Sequence, residues 1–403
     1  MYDVVIVGGG LVGASLASAL RETGLKIAII EAAPWFEHIS PPSYDDRVIA
    51  LAYASQRILE QIGCWAHIAP HATPIKHIHV TDRGHCGVTR LHHDELNLPA
   101  LGYVVAARQL GQAMQATLKN SNVDIFAPAK IVEVTDNTEN LTLSIQHKEQ
   151  LNSIKTRLLV AADGGNSAIR QQLNVPIEES DYQQTAIIAN VSTQKPHHNV
   201  AHERFTDSGP LALLPMQGQQ SSLVWTVNHE DVEKHLALSE SAFLAALQQR
   251  FGWRLGRFTK VGARHAYPLK LMRIQQHIAH RRVIIGNAAH TVHPIAGQGL
   301  NLGLRDVASL AEVIITAAQK KTDIGSQTVL NHYVSWQAPD QQRVTSVTDA
   351  LVRIFSNTAL PVAFARNLGL MATNHCLPLK KQLMKQMTGL HAHPAKLVRG
   401  AKL

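Results

Sequence analysis

Cysteine is scarce in this 403-residue chain: Cys64, Cys86 and Cys376 are odd in number, far apart and without CxxC spacing. That pattern excludes a disulfide framework and a cysteine-based zinc site, and it leaves ordinary reduced thiols. Long hydrophobic runs are missing as well. No stretch approaches the roughly eighteen consecutive apolar residues of a spanning helix, so membrane contact is expected to be peripheral at most. The chain runs from Met1-Tyr2-Asp3 straight into Val4-Val5-Ile6-Val7, without the basic start and small-residue cleavage site of a signal peptide. A cytoplasmic location is the resulting expectation. HExxH, GxSxG and Walker patterns are all absent, and His92-His93, His197-His198 and His391-x-His393 lack ligand spacing. Surface imidazoles and no metal are expected.

Acidic residues stop at Asp349, whereas Arg353, Arg366, Lys380, Lys381, Lys385, Lys396, Arg399 and Lys402 follow it. The net charge of +8 therefore sits in the tail, and residues 1–349 are formally neutral. A charge placed so speaks against nucleic acid. A basic tail mixed with Leu, Met and Phe suits peripheral contact with the inner face of an anionic membrane or with an acidic partner; a solvated last helix explains it equally well.

With 45% hydrophobic residues the chain can bury the core of two domains, or of one domain with an insertion. It opens as strand, glycine turn, helix and strand, a βαβ unit suited to an open parallel sheet. The turn Gly8-Gly9-Gly10-Leu11-Val12-Gly13 is a GxGxxG with Glu31 at the end of the next strand. Gly8 permits the turn, Gly10 lets the backbone approach a pyrophosphate, and Gly13 lets helix and strand close together. Glu31 can accept from an adenosine ribose and would repel a 2′-phosphate. This motif alone does not separate FAD from NAD. Further along, a helix near Ala107 to Lys119, a ribbon at Ile131 to Val134 and Leu141 to Gln146, and a buried strand Arg157 to Ala162 are expected. Residues from about Gln183 to Pro268 are β-rich, broken by one helical pattern near Ser239 to Gln248, and read as an inserted antiparallel sheet. Arg282 to Ile285 returns as a buried strand, with a helix from about Gly299.

Two later segments carry a resemblance. Ala162-Asp163-Gly164-Gly165-Asn166-Ser167-Ala168-Ile169-Arg170 resembles the Asp-Gly fingerprint of group A flavin-dependent aromatic hydroxylases, and the stretch from Gly286-Asn287-Ala288-Ala289-His290 to His293-Pro294-Ile295-Ala296-Gly297-Gln298-Gly299-Leu300-Asn301 resembles their third fingerprint. Asp45-Asp46-Arg47-Val48-Ile49-Ala50-Leu51, Arg108 and Gly209-Pro210-Leu211-Ala212-Leu213-Leu214-Pro215 resemble further family segments. The family usually has Asp where this chain has Asn287, which exchanges a charge-assisted acceptor for an amide that accepts and donates. That Gly-Asn-Ala-Ala wording, with Arg366-Asn367-Leu368-Gly369-Leu370-Met371, is closest to the 2-polyprenyl-6-methoxyphenol hydroxylases of ubiquinone biosynthesis.

The resemblance implies an α/β fold of the para-hydroxybenzoate-hydroxylase type: a Rossmann-like FAD-binding domain at 1–70, 98–180 and 268–340, an inserted antiparallel β-sheet substrate domain at 71–97 and 181–267, and basic C-terminal helices at 341–403. It implies FAD held by Gly8, Gly10, Gly13, Glu31, Arg47, Arg108, Asp163, Gly164, Gly286, Asn287, Pro294, Gly297, Gly299, Leu300 and Asn301. Pro294, Gly297 and Gly299 would lie nearest the reaction centre. Arg47 and Arg108 could instead be plain surface ion-pair residues, and 209–215 a plain core strand. NAD(P)H would reduce the flavin, which with O2 would form a C4a-hydroperoxide that hydroxylates a polyprenylated methoxyphenol; assembly with other ubiquinone-biosynthesis proteins belongs to the same expectation. No residue is assigned to activating the phenol, since His290 and His293 sit in the flavin motif and neither carries a proton-transfer fingerprint. A sister hydroxylase for another ring position, a flavin-dependent reductase of prenyl or quinone substrates, and a flavin-binding scaffold remain open alternatives.

Overall fold

The run Tyr2–Val7 is apolar at successive rather than alternate positions, as suits a parallel strand buried on both faces. In the computed structural model, which describes residues 1–35, 43–292, 297–355, 359–390 and 394–403, it sits inside a sheet ordered Ile278–Ala279, Arg282–Ile284, Gln150–Ala161, Tyr2–Val7, Ile27–Ile30, Val123–Phe126. The pairings around it are parallel, with Val5 opposite Leu159 on one side and Ala28 on the other. Val4 and Ile6 turn to a helical layer containing Leu16, Leu20, Leu304, Val307 and Leu310. Val5 and Val7 turn to Leu143, Ile145 and Ile169. Full burial of a side chain such as Ile6 stabilises by about 1.5–3 kcal/mol. The expected ribbon is present as Ala129–Asp136 and Leu141–His147, antiparallel to each other and continued onto Gln150–Ala161.

A second sheet, nine-stranded, runs in the order His290–Thr291, His265–Ile274, Ile177–Thr193, Gln220–Asn228, Gly209–Pro215, Val200–Thr206, His77–Asp82, Val88–His92, with Phe258–Val261 against Ile177–Thr193. It departs from a purely antiparallel insert at one place, because Val200–Thr206 pairs in parallel with His77–Asp82. The long stretch of chain between those strands supplies the crossover that a parallel pair requires. One face of this sheet packs Ile187, Leu211, Leu213, Leu223 and Trp225 against Phe243, Leu247 and Phe251 of the helix Glu240–Phe251. A short helix, Val232–Leu236, precedes that one and was not expected. His197 is buried rather than superficial, its Nε2 donating to the Met216 carbonyl at 2.8 Å.

The basic tail is not one solvated helix. It folds as the end of Gln327–Phe355 followed by Leu360–His375 and Leu377–Met387. Arg366 donates to Asp82 at 2.7 Å, and Lys380 pairs with Glu95 at 2.5 Å, so acids of the sheet region neutralise two of the tail's cations. Asn367 completes the anchor, accepting from the Gly87 N–H at 2.7 Å and donating to Asp82 at 2.8 Å. Among the described residues no helix is long and apolar enough to cross a membrane.

Asp82→Ala would take the carboxylate partner from the Arg366 guanidinium, whose side chain is only 8% exposed, leaving the Ile354 and Phe355 carbonyls at 3.5 and 3.4 Å among its remaining contacts, at an expected cost of about 3–5 kcal/mol. Asn367→Ala should cost less, about 1–3 kcal/mol. Urea denaturation checks both, and a loss below about 1 kcal/mol for Asp82→Ala would show that the tail is anchored elsewhere.

Candidate functional site

The first glycine turn is built by close backbone approach. Gly8 has φ +96°, and a Cβ there would lie 2.5 Å from the Ala162 carbonyl oxygen, so the turn rests directly on the Asp163 segment. A Cβ at Gly13 would lie 1.9 Å from the Gly8 oxygen. Gly10 differs: it caps the helix Leu11–Leu20 with no side-chain hydrogen bond, and its Cβ position has nothing within 4 Å. The helix N-terminus therefore faces open space with free backbone donors. Glu31 stands at the mouth, its oxygens accepting from Gly9 N–H at 2.6 Å and Ala33 N–H at 2.7 Å, with lone pairs left over.

A second helix ends on the same unit. Gln298–Gln319 begins at Gly297, φ +60°, again without a side-chain cap, and the Cβ position of Gly299 is open. The two helices touch at Val12, whose methyls would meet a Cβ at Gly303 at 2.8 Å and one at Gly286 at 3.1 Å. Between them Asn287 is exposed, and its amide makes no hydrogen bond among the described residues. Asp163 accepts from Ala168 N–H at 2.8 Å through one oxygen while the other is buried without a partner. Arg170 locks this segment to the 286–289 turn, donating to Gly165 O at 2.7 Å and Ala288 O at 2.9 Å. Gly164, at φ +85°, has an open Cβ position beside it.

Other expected site residues hold the frame. Arg108 pairs with Asp46 at 3.1 Å, and both side chains are about four-fifths buried, so the pair is more enclosed than a plain surface one. Its neighbour Ala107 donates to the Arg47 carbonyl at 2.8 Å, while the exposed Arg47 guanidinium lies 5.4 Å over the Tyr267 ring. The Asn301 side chain is fully engaged with backbone, accepting from Ala52 N–H at 2.7 Å and donating to Ala50 O at 2.9 Å and Gly297 O at 2.6 Å. Leu300 is half-exposed. Pro294 and His293 lie outside the described residues, as do His391 and His393.

Sequence reasoning missed Asp306. This carboxylate is fully buried and accepts from Gly286 N–H at 3.0 Å, His290 Nε2 at 2.7 Å and Gln341 at 2.8 Å. Burial alone would raise its pKa, but His290, the Gly286 N–H and Gln341 together hold it below the usual carboxylate range. The signal was available: an acid inside the apolar helical run Leu302-Gly303-Leu304-Arg305-Asp306-Val307 needs buried partners.

These features fit a dinucleotide flavin. Two uncapped helix N-termini share one rigid unit, each beside an open glycine, with an orphaned carboxylate oxygen and an unbonded amide nearby. A family model described as FAD binding domain matches residues 1–348. The chain is 38% identical over 406 residues to the ubiquinone hydroxylase UbiL of Rhodospirillum rubrum, covering 100% of this chain and 93% of that protein. It is 31% identical over 390 residues to the 3-demethoxyubiquinol 3-hydroxylase of Escherichia coli, covering 96% and 98% respectively. The solved structure of p-nitrophenol 4-monooxygenase PnpA from Pseudomonas putida superposes with a TM-score of 0.78 at 18% identity, over 97% of this chain and 99% of that one, a likeness of fold.

Asp306→Ala would leave the Gly286 and His290 donors buried and unpaired, and should cost about 3–5 kcal/mol together with flavin retention. Flavin fluorescence followed through a urea titration measures both. Asp306 titrates in the folded chain below its ordinary 3.8, so its stabilisation is complete above that pH and is lost as acid drives the folded group through its lower value. Asp306→Asn should lack that acid-dependent part of the stability curve.

Proposed function

The chain belongs to the FAD-binding-domain family, and we propose that it hydroxylates the aromatic ring of a polyprenylated methoxyphenol in ubiquinone biosynthesis. As a member it is an FAD-dependent monooxygenase with NAD(P)H as co-substrate. The cofactor's pyrophosphate would lie at the N-terminus of Leu11–Leu20 over Gly10, its ribose at Glu31, and its ribitol beside Asn287 and Asp163. The flavin's pyrimidine edge would meet the N-terminus of Gln298–Gln319, where the helix dipole favours the charge that reduction brings. Bound and reduced, FAD supplies the activation of O2. We place the domain limits as the sequence suggested, with residues 71–97 and 181–267 forming the substrate-side insert.

One observation carries the aromatic substrate. A Cβ at Gly297 would lie 3.0 Å from Ala50 Cβ, and Ala50 belongs to one apolar cluster with Val48, Ile75, Ile78, Val104, Ala201, Leu214 and Met216. The open end of the Gln298–Gln319 helix thus adjoins an apolar face of the nine-stranded sheet, which can seat a ring and exclude water. Turnover of a short-chain 2-prenyl-6-methoxyphenol under isotopically labelled O2 should add one labelled oxygen to the ring, and the product's substitution pattern reports the position. A different ring carbon would favour a sister hydroxylase. NAD(P)H oxidation without incorporation of oxygen would favour a reductase.

The tail supports peripheral contact with an anionic bilayer, the phase in which a polyprenyl chain resides. Phe364, Leu368 and Met371 recur at helical spacing along Leu360–His375 and are 73%, 57% and 42% exposed. Leu377 and Leu379 extend that surface, and Lys381 and Lys385 stand exposed beside it. Phe364→Ser with Leu368→Ser should abolish cosedimentation with phosphatidylglycerol vesicles and leave turnover of the short-chain phenol unchanged. Retained cosedimentation, or loss of protein–protein assembly instead, would assign the face to another partner.

A further inference from the structure

The face of the nine-stranded sheet opposite the helix Glu240–Phe251 carries a row of half-exposed residues on five neighbouring strands: Ile188, Val224, Ala212, Glu203 and Val80. The register sets them side by side, with Ile188 opposite Val224, Val224 opposite Ala212, Ala212 opposite Glu203, and Glu203 opposite Val80. Val80 packs against the cluster of Phe205, Val352 and Phe355, whereas Ile188, Val224 and Ala212 join no hydrophobic cluster among the described residues, so nothing described packs closely on that stretch of the face. Its flanks are covered. On one side Ala201 and Leu214 join Ala50 and Val48; on the other the Phe205 and Phe355 rings stack at 3.5 Å. The row is therefore the floor of a recess between these two covers.

Glu203 is the only ionisable side chain of those five. It takes no hydrogen bond or ion pair among the described residues; although part of the residue reaches solvent, desolvation by the protein packed around the carboxyl lifts it to about 7. Its chain neighbours point away: His202 meets Phe251 on the helix side, ring centroids 5.4 Å apart, and Arg204 shares that face. The other ionisable groups on its own face stand off. Asp82 is engaged by Arg366 and Asn367, Tyr182 donates to Asp349 at 3.2 Å, and the exposed His265 and Tyr267, the latter with the Arg47 guanidinium 5.4 Å over its ring, lie on the strand beyond Ile188 and Ala186, four strands away. An unpartnered carboxyl in apolar surroundings costs stability, which makes its position in this recess a candidate for chemistry. Along its strand Glu203 lies two residues, about 6.6 Å, from Ala201, and Ala201 shares its cluster with the Ala50 that Gly297 abuts.

We propose that Glu203 takes, and later returns, the hydroxyl proton of the phenolic substrate. The step rests on the hydroxylase reading. The substrate O–H bond breaks, its proton passes to the Glu203 carboxylate, and the electron pair stays on the ring oxygen, raising electron density at the ortho and para carbons that accept oxygen. When the hydroxylated ring sheds its C–H proton to water and regains aromaticity, Glu203 gives its proton back to the ring oxygen and is a carboxylate again. A carboxyl poised near neutral pH can act in both directions.

The test uses full-length FAD-loaded enzyme, a short-chain 2-prenyl-6-methoxyphenol, and the variants Glu203→Gln and Glu203→Leu. Both variants should fold and hold FAD, because each replaces a carboxyl that has no partner among the described residues with an uncharged side chain, and both should melt above the parent at pH 8. Hydroxylated product per second should fall about 100-fold or more, with NAD(P)H oxidation diverted to hydrogen peroxide. In the parent enzyme product formation should rise with pH through about 7, as the carboxyl ionises, and Glu203→Gln should lose that rise. A ring-fluorinated analogue already ionised at the assay pH should restore much of the lost rate, which a purely structural role would not permit. An unchanged pH profile and coupling in Glu203→Gln, or an equal loss with the ionised analogue, would overturn the assignment while leaving the hydroxylase intact. A parent enzyme that puts no oxygen into the phenol would instead sink the hydroxylase reading, and this step with it.

Discussion

The close approach of backbones around Val12 is the constraint on which the rest depends. Gly8 rests on Ala162, Gly13 closes on Gly8, and the methyls of Val12 fill the space left by Gly286 and Gly303. Segments far apart in the chain thereby become one rigid unit. Helix N-termini can then be left uncapped at a ligand's edge, because the packing behind them, not the ligand, fixes their direction.

Polar groups inside the fold serve two purposes. Asp306, Arg170 and Asn301 spend hydrogen bonds on backbone groups of Gly286, Ala288 and Gly297 and so hold the shape of those turns. Asp163, Asn287 and Glu203 keep capacity unspent among the described residues, the first two where we propose the cofactor and the third where we propose the substrate ring. The division separates residues that hold the frame from residues that can meet a ligand, and it cuts across the motifs, since Asn301 and Asn287 lie in the same one.

The tail illustrates how charge read along a chain differs from charge in space. Arg366 and Lys380 are spent on Asp82 and Glu95, so the surface charge of the C-terminal helices comes from fewer residues than the sequence suggests. What remains exposed is an apolar stripe with Lys381 and Lys385 at its edge.

The sequence by itself determined the nucleotide half. Glycine spacing, the Val4–Val7 run and Glu31 are local patterns whose meaning follows from backbone sterics and strand periodicity, and the strand, turn and helix they imply are those observed. Only the tertiary structure decided the rest. The parallel pairing of Val200–Thr206 with His77–Asp82, the partners of Asp306 and the recess around Glu203 all depend on residues distant in the chain. Glu203 in particular reads in the sequence as one more acid on an alternating strand; its character arises from register, which placed Ala212 and Val80 beside it and gave its carboxyl no ion pair among the described residues. Desolvation is a property of surroundings, and surroundings are set by packing that no local pattern specifies.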